Sequence, residues 1–270
     1  MIRHENFPSR HIPPRHVDVW LPPGYDQGDQ RYPVLYMHDG QNCFNAADCG
    51  YGVAWEVQHA LARLIATGQA RPAIIVGVWN IPARRVLEYR PARPFGYLSA
   101  TARQRILAPM GGAPLSDDYL AFVVHELKPF IDASYRTRPD RDDTFVMGSS
   151  MGGLISLYAI CEYPDVFGGA GCVSTHWPAV EGVIVPYLRD RLPDPTTHRL
   201  YFDYGTATID TLYLPIQTQV DTLLAAAGYR RGHNWLTLPF PGAPHNEDAW
   251  QQRGHIPLRF LLGERGMSQA

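Results

Sequence analysis

The sequence predicts an α/β fold in which a mostly parallel central sheet carries helices on both of its faces. Two observations lead to this fold class. Short runs of β-branched and aromatic residues alternate with longer segments of helical periodicity almost to the end of the 270 residues, and such alternation is typical of βα units. Most of the strand-like runs are also continuously apolar, as in parallel sheets that are covered on both faces.

The predicted strands and helices follow one another with few gaps. Strands are predicted at residues 17–21, 32–37, 73–78, 143–147, 166–173, 200–204 and 235–238, the first of them as an edge strand. Helices are predicted at about residues 55–67, 116–131, 152–163, 183–192, 210–227 and 255–262. In the first helix Val57, Leu61 and Leu64 form one apolar stripe, and Gly68 is a typical C-terminal stop. The second begins at Ser116 and continues with apolar residues at helical spacing.

No composition break, linker or internal repeat divides this series, so we expect a single domain over residues 1–270. The segment at about residues 81–116 departs from the pattern. It is rich in proline and glycine and carries six arginines against one glutamate, which predicts an irregular, positively charged insertion. Long loops inside a compact domain are commonly functional. Because this one follows a strand end, we expect it near the active-site cleft.

Composition and charge exclude several classes of protein. Apolar residues make up 45% of the chain and charged residues 19%, which is inconsistent with a disordered chain. The net charge of −2 argues against a nucleic-acid partner. The chain shows no apolar run of about 18 residues and no signal-peptide pattern, so we expect no membrane partner and a cytoplasmic location. The oligomeric state is left open, a homo-oligomer included.

The four cysteines are too few and too scattered to predict a disulfide scaffold. Cys43 and Cys49 lie six residues apart beside His38 and Asp39, but this spacing fits no common zinc pattern. We therefore expect neither a metal nor a cofactor.

The most informative motif is Gly-Ser-Ser-Met-Gly-Gly at residues 148–153, which directly follows a predicted strand and directly precedes a predicted helix. This is the context of a nucleophile elbow, a sharp turn that exposes a serine above the sheet. The turn requires small residues two positions before and after the nucleophile, and Gly148 and Gly152 meet that need. Ser150 is therefore the candidate nucleophile. The alternative is a glycine-rich turn without catalytic meaning.

A serine hydroxyl becomes a good nucleophile only when a base removes its proton, and a carboxylate holds that base. In chain order the acid follows a late strand and the base follows the last one. His245 comes after the predicted strand 235–238, in a proline-rich loop, and is the candidate base. Asp210 lies past the end of strand 200–204 and is the preferred acid, although it could also cap the helix that follows. Asp203 is the alternate acid.

Two backbone N–H groups must also face the oxyanion that forms on an acyl carbonyl. Met151, directly after Ser150, would supply one of them. Gln41 would supply the other from the loop after strand 32–37, because Gly40 allows the backbone to turn there. A plain turn without this role is the alternative.

These residues resemble the esterase D branch of the α/β-hydrolase superfamily, which includes enterochelin esterase-like proteins, feruloyl and acetylxylan esterases, and mycolyltransferases. The resemblance rests on residues 36–42, 148–153 and 163–167, on Gly205 and Thr206 before Asp210, and on His245 followed by Trp250. It extends over about residues 17–262. It implies an α/β-hydrolase fold, a triad of Ser150, His245 and Asp210, and an oxyanion hole formed by Gln41 and Met151.

Residues 80–91 are similar to an Asn, Arg, Glu-Tyr-x-Pro pattern of the enterochelin esterase-like members. Candidates for substrate binding lie in this segment, in the loop after strand 32–37 and after strand 166–173: Asn42, Arg84, Arg85, Tyr89, His176 and Trp177. Arginines suit carboxylates and phenolates, so an aromatic or anionic acyl group is the expected ligand. A solvated basic loop is the alternative.

Together these predictions favour a serine carboxylesterase that cleaves a small-molecule ester through an acyl-enzyme. The ester could be aromatic, sugar-linked or a siderophore. Two other functions stay open at this point. One is an acyltransferase that uses the same triad, and the other is a non-catalytic binding module on a hydrolase scaffold.

Overall fold

The computed structural model describes residues 1–108, 111–180 and 182–263. Within them, eight strands form one sheet in the order β1-β2-β4-β3-β5-β6-β7-β8. The strands are β1 (Ile2–Phe7), β2 (Arg15–Trp20), β3 (Val34–His38), β4 (Ile74–Val78), β5 (Thr144–Ser149), β6 (Gly169–Val173), β7 (Arg199–Gly205) and β8 (Trp235–Phe240). The pairs β1–β2 and β2–β4 are antiparallel, and all the other pairs are parallel. The prediction of a mostly parallel α/β sheet is confirmed.

Ten α-helices accompany this sheet in the described residues. They are α1 (Val57–Ala66), α2 (Pro82–Tyr89), α3 (Ala100–Leu107), α4 (Ser116–Phe122), α5 (Lys128–Ser134), α6 (Met151–Glu162), α7 (Ile184–Arg191), α8 (Leu214–Ala226), α9 (Glu247–Arg253) and α10 (His255–Leu262). A π-helical turn joins α4 to α5, so the helix predicted from Ser116 is continuous but irregular. No helix in the described part of the chain is long and apolar enough to cross a membrane.

The core lies on both faces of the sheet, because side chains alternate along each strand. In β3, Tyr36 belongs to one apolar cluster, which α4 and α6 cover. Leu35 and Met37 belong to a second cluster on the opposite face, which α1 and α10 cover. Helices on both faces explain why the central strands are apolar throughout.

The segment predicted as an irregular insertion at 81–116 is largely helical instead, since it contains α2 and α3. Pro82 occupies the first turn of α2, where a missing N–H group has no helical partner to lose. Ser99 caps α3 by accepting a hydrogen bond of 3.2 Å from the N–H of Ala102. The proline and the serine therefore mark helix starts. Residues 109 and 110 of this segment lie outside the described residues.

Three further elements differ from the sequence prediction. The missed β1 pairs with β2 at the edge of the sheet and is largely exposed, so it has no apolar run to reveal it. The short missed helix α9 is capped by Asn246, whose side chain accepts a hydrogen bond of 3.0 Å from Ala249. The helix predicted from residue 210 is a 3₁₀ turn at Thr208–Leu212 followed by α8, whose first turn contains Pro215.

The parallel strands place the candidate functional residues at one edge of the sheet. Asp39 follows β3, Ser150 follows β5, Ser174 follows β6, Asp210 lies beyond β7, and His245 lies beyond β8. Carboxyl ends of neighbouring parallel strands lie side by side, and ligands of open α/β sheets bind there.

Candidate active site

Ser150 occupies the sharp turn between β5 and α6 in a strained backbone conformation. Its φ and ψ angles are 57° and −120°, a sparsely populated combination for a residue with a side chain. The turn is so tight that a Cβ atom on Gly148 would lie 2.8 Å from the carbonyl carbon of Gly152. The N–H of Ser150 donates a 2.9 Å hydrogen bond to the carbonyl of Val173 in β6. The sheet thus fixes a half-exposed serine at a helix N-terminus.

His245 and Asp210 are joined at the same edge by a short hydrogen bond. Nδ1 of His245 lies 2.5 Å from Oδ1 of Asp210, whose side chain is fully buried. Oδ2 of Asp210 accepts further hydrogen bonds from the hydroxyl of Ser174 at 2.7 Å and from the N–H of Gly205 at 2.6 Å. Burial alone would raise the pKa of Asp210, but the hydrogen bonds from these three groups outweigh it and lower the pKa. Asp210 is therefore an anion at neutral pH.

Two further residues, Trp250 and Thr208, hold His245 independently of its hydrogen bond to Asp210. The indole ring of Trp250 meets the imidazole edge-on, with ring centroids 4.8 Å apart. The backbone N–H of His245 donates a 2.9 Å hydrogen bond to the hydroxyl of Thr208. Gly205 is required beside this loop, because a Cβ atom there would lie 2.0 Å from the carbonyl oxygen of Ala243.

Asp203, the alternate acid, has other partners. It is buried within β7, and Nη2 of Arg253 donates to its Oδ1 at 3.2 Å. The hydroxyl of Tyr201 and the N–H of Ser174 also donate to it, at 2.8 and 3.1 Å. The structure thus brings Asp210, rather than Asp203, to the imidazole of His245. Asp203 anchors Arg253 beneath the site.

Ser174 connects these groups, and the sequence reasoning missed it. Its hydroxyl donates to Asp210 and accepts from the indole N–H of Trp250 at 3.1 Å and from Arg253 at 2.8 Å. The sequence does contain a signal for Ser174, because this residue directly follows β6 at the edge of the sheet where the other candidate site residues lie. Its partners Trp250 and Arg253 lie in α9 and could not be predicted, because α9 itself was missed.

The loop after β3 is shaped by a close approach to β4. A Cβ atom on Gly40 would lie 2.4 Å from the carbonyl carbon of Gly77, so this position requires glycine. Residues Gly40–Asn42 form a 3₁₀ turn, and the first N–H groups of a helical turn have no partner within it. Gln41 is the second residue of this turn, and Met151 is the first residue of α6. Both predicted oxyanion donors therefore lie at helical N-termini.

Asp39, which precedes this turn, is fixed by residues of α2 and of the short connection between β4 and α2. Its backbone is left-handed, with φ 58° and ψ 48°. Arg85 donates to its two carboxylate oxygens at 2.8 and 2.7 Å, and the amide of Asn80 donates to Oδ1 at 2.6 Å. The N–H of Asp39 donates to the hydroxyl of Tyr89 at 3.1 Å. A largely buried ion pair thus ties α2 to the loop after β3, the candidate oxyanion loop.

Several residues predicted to bind substrate are used internally instead. Tyr89 and Trp177 are 0% and 1% exposed, so neither presents a surface to a ligand in this structure, which does not support their assignment to substrate binding. Arg84 donates at 3.0 Å to Glu88. Glu88 is itself buried against Arg15. Arg85 is committed to Asp39, as described above.

Asn42 and His176 remain beside the site. Asn42 is 7% exposed, and its amide contacts Glu247 of α9 at 3.5 Å. Glu247, another residue that the sequence reasoning missed, is buried, and this burial raises its pKa.

His176 is half-buried beside His245. Its backbone N–H donates to the carbonyl of Ser150 at 3.2 Å, and its ring centroid lies 6.5 Å from that of His245. Its Nδ1 lies 2.9 Å from the hydroxyl of Tyr213.

Groups of three or more histidine, cysteine or carboxylate side chains that could hold a metal ion do not occur in residues 1–108, 111–180 and 182–263. The four cysteines are buried and unpaired. Cys43 donates weakly to the backbone carbonyl of Asp39 in the loop after β3, and Cys49 donates to the carbonyl of Val53.

The family pattern described as "Putative esterase" matches residues 13–261, which include every element of the site. The chain belongs to this esterase family. The predicted esterase family and the enzyme class, a carboxylic ester hydrolase, are thereby confirmed, and an enzyme is favoured over a binding module.

Individual relatives agree with this family. Uncharacterized protein YbbA of Bacillus subtilis (strain 168) is 26% identical over 259 residues, which cover 93% of each chain. Ferri-bacillibactin esterase BesA of the same organism is 28% identical over 153 residues, which cover 54% of this chain and 49% of BesA. The crystal structure of an IroE-like serine hydrolase from Shewanella oneidensis has a TM-score of 0.72 at 20% identity and covers 95% of this chain and 77% of that one. The likeness to the structure from Shewanella oneidensis shows that the two chains share a fold.

Proposed function

We propose that this esterase is a serine carboxylesterase in which Ser150, His245 and Asp210 form the catalytic triad. The observation that supports it best is the 2.5 Å contact between His245 and Asp210 at the edge of the sheet where the strained turn presents Ser150. An ionised carboxylate only accepts hydrogen bonds, so Nδ1 of His245 carries the proton. Nε2 is then left unprotonated, as a general base requires.

The reaction proceeds in two steps. Nε2 of His245 takes the proton of the Ser150 hydroxyl while the serine oxygen attacks the ester carbonyl carbon. The bond to the alcohol then breaks, and the imidazolium returns its proton to the departing alkoxide. Water repeats the sequence on the acyl-enzyme and releases the carboxylic acid and the free serine.

The other parts of the site act on charge and position. The N–H groups of Gln41 and Met151 stabilise the oxyanion in both steps, and no cofactor is needed. Asp210 stabilises the imidazolium, and its lowered pKa keeps it charged for this role. Ser174 holds Asp210 in position, and Thr208 and Trp250 hold His245.

The experiment is hydrolysis of p-nitrophenyl butyrate together with labelling by a fluorophosphonate, which reacts with activated serines. We expect Ser150→Ala to lose about 10⁴-fold or more of kcat and to lose the label, which mass spectrometry should find on Ser150 of the unaltered protein. Ser149→Ala is the matched control, because it removes the adjacent hydroxyl from the same motif. Full activity of the Ser150 variant would exclude the proposal.

Transfer of the acyl group to an alcohol would use the same triad. Product analysis in the presence of glycerol separates the two outcomes, since an esterase yields the free acid as its main product. Glyceryl ester as the main product would assign the protein to acyl transfer.

A further inference from the structure

Arg90 is a buried arginine whose charge has no counter-ion among the described residues. Arg90 is 6% exposed, and its Nε and Nη1 atoms are buried without a hydrogen-bond partner in the described part of the chain. Burial lowers its pKa. Arg85 and Arg93 in the same segment differ, because carboxylates pair with them. An uncompensated buried charge is costly, so a buried group of this kind calls for an explanation.

The position of Arg90 connects it with the site. It directly follows α2, at the point where the backbone turns extended, with φ −87° and ψ 116°. The preceding residue, Tyr89, accepts the hydrogen bond from the N–H of Asp39 in the oxyanion loop. Arg90 is thus one residue away from a contact that shapes the oxyanion loop.

Arg90 acts electrostatically on His176, whose ring lies 6.5 Å from that of His245. The pKa of His176 is lowered to about 4, chiefly by burial and then by the electrostatic effects of His245, Arg85 and Arg90. His176 in turn donates its backbone N–H to the carbonyl of Ser150. Of the two arginines, Arg85 is neutralised by Asp39, while Arg90 adds an unbalanced positive charge that acts on His176.

We propose that Arg90 forms an anion subsite of the active-site cleft, which binds a carboxylate group carried by the ester substrate. This inference rests on the proposed ester hydrolysis and adds a substrate class to it. A guanidinium presents two adjacent pairs of donors to a carboxylate, Nη2 with Nη1 or Nη2 with Nε. Each pair in Arg90 includes one of the two unpartnered nitrogens. The carboxylates of Asp39 and Asp210 already lie in the site, so one added negative charge is favoured over the two of a phosphate group.

The test compares two pairs of esters that differ in charge. In 4-acetoxybenzoate the carboxylate lies on the alcohol side, and 4-methylphenyl acetate is its neutral partner. In monoethyl glutarate the carboxylate lies on the acyl side, and ethyl pentanoate is its neutral partner. We expect Arg90→Gln to reduce the preference for the anionic ester roughly 30-fold in at least one pair, mainly through KM, as for the loss of one partner of a buried charge pair. The affected pair identifies the side.

Two further variants separate binding from structure. Arg90→Lys keeps the charge and should retain part of the preference. Arg103→Gln removes the same charge from an exposed position on α3 and should leave the preference unchanged. The melting temperature of Arg90→Gln should not fall, because an uncompensated buried charge is removed. An equal effect of Arg90→Gln on both members of both pairs would overturn the subsite.

Failure of the esterase proposal has a different signature. If the unaltered protein hydrolyses none of the four esters, calorimetric titration with 4-hydroxybenzoate still tests the subsite. The expected result is binding to the unaltered protein that Arg90→Gln weakens roughly 30-fold. Equal binding to both proteins, or binding to neither, would refute a carboxylate site at Arg90.

Discussion

Removal of the Arg85 side chain should affect stability and turnover rather than substrate charge preference. Arg85 donates to both carboxylate oxygens of Asp39, at 2.8 and 2.7 Å. The side chain of Asp39 is 8% exposed and that of Arg85 is 25% exposed. Arg85→Ala would therefore leave a nearly buried anion at the start of the turn that carries Gln41. The sequence alone had suggested that Arg85 binds an anionic substrate, and the structure leads to a different expectation.

The magnitude follows from this burial. Breaking a fully buried ion pair by removing one partner costs about 3–5 kcal/mol. Arg85 is partly exposed, and Asn80 still donates to Asp39, so we expect about 2–3 kcal/mol of lost unfolding free energy. For a chain of this size that corresponds to a fall in Tm of roughly 4–12 °C. The kcat for any ester should fall by up to about 100-fold, because one oxyanion donor is misplaced.

The pH dependence has a defined sign. Burial alone would raise the pKa of Asp39, but the charge and hydrogen bonds of Arg85, together with Asn80, lower it. A group whose native pKa is lowered stabilises the fold above its unfolded pKa, about 4 for aspartate, and that stabilisation is lost as the pH falls through the native value. The unfolded pKa is the same for both proteins, so the difference in unfolding free energy between the unaltered protein and Arg85→Ala should be constant at neutral pH. It should shrink as the pH falls through the native pKa of Asp39, first in the variant and then in the unaltered protein.

Calorimetry measures Tm, and kinetics with one anionic and one neutral ester measures the effect on turnover. Arg84→Ala is the matched control: its partner Glu88 keeps Arg15, and Arg84 is 37% exposed, so we expect a loss below about 1 kcal/mol. An unchanged Tm for Arg85→Ala, together with a raised KM for the anionic ester alone, would refute this reasoning and restore Arg85 as a substrate-binding residue.

Three other predictions follow from the same site. Asp210→Asn should lower kcat by about 10⁴-fold in ester hydrolysis, whereas Asp203→Asn should retain most of kcat, because Asp203 meets Arg253 rather than His245; the reverse pattern would exchange their roles. Gly40→Ala should lower both Tm and kcat, since the added Cβ would lie 2.4 Å from a backbone carbon of β4, and native values of both would contradict the tight turn. Burial lowers the pKa values of His38 and His176 from 6.5 to about 4. Between these two pH values the unfolded chain binds more protons than the folded protein, so the free energy of unfolding decreases as the pH falls. The decrease is up to about 1.4 kcal/mol per pH unit for each histidine. Urea unfolding from pH 7 to pH 4 measures this slope, His176→Gln should remove its share, and a flat profile would contradict the burial of both rings.

The elbow and the histidine loop could be predicted because their signals are local. The motif around Ser150 requires glycines within two residues on either side, and His245 is located by its position after the last strand. Chain order along a parallel sheet also brings these loops to one edge without knowledge of any side-chain contact. The identity of the acid was less local, since Asp203 and Asp210 lie seven positions apart and both border the end of β7.

The substrate-binding residues could not be predicted in the same way. Arg85 and Asp39 are 46 positions apart, and composition shows only that an arginine is present, not whether a carboxylate meets it. Tyr89 and Trp177 follow strand ends or resemble a family pattern, yet both face the interior. In the 81–116 segment, proline suggested a loop, although Pro82 lies in the first turn of a helix.

The sequence by itself therefore determined the α/β class, the esterase family, and the serine and histidine candidates, because strand periodicity, glycine spacing and chain order are properties of short segments. Only the tertiary structure decided which aspartate meets His245, which arginines have carboxylate partners, and that the buried Arg90 has none among the described residues. Those outcomes depend on burial and on contacts between distant segments. A buried charge is stable only beside its partner, and the fold determines where that partner lies.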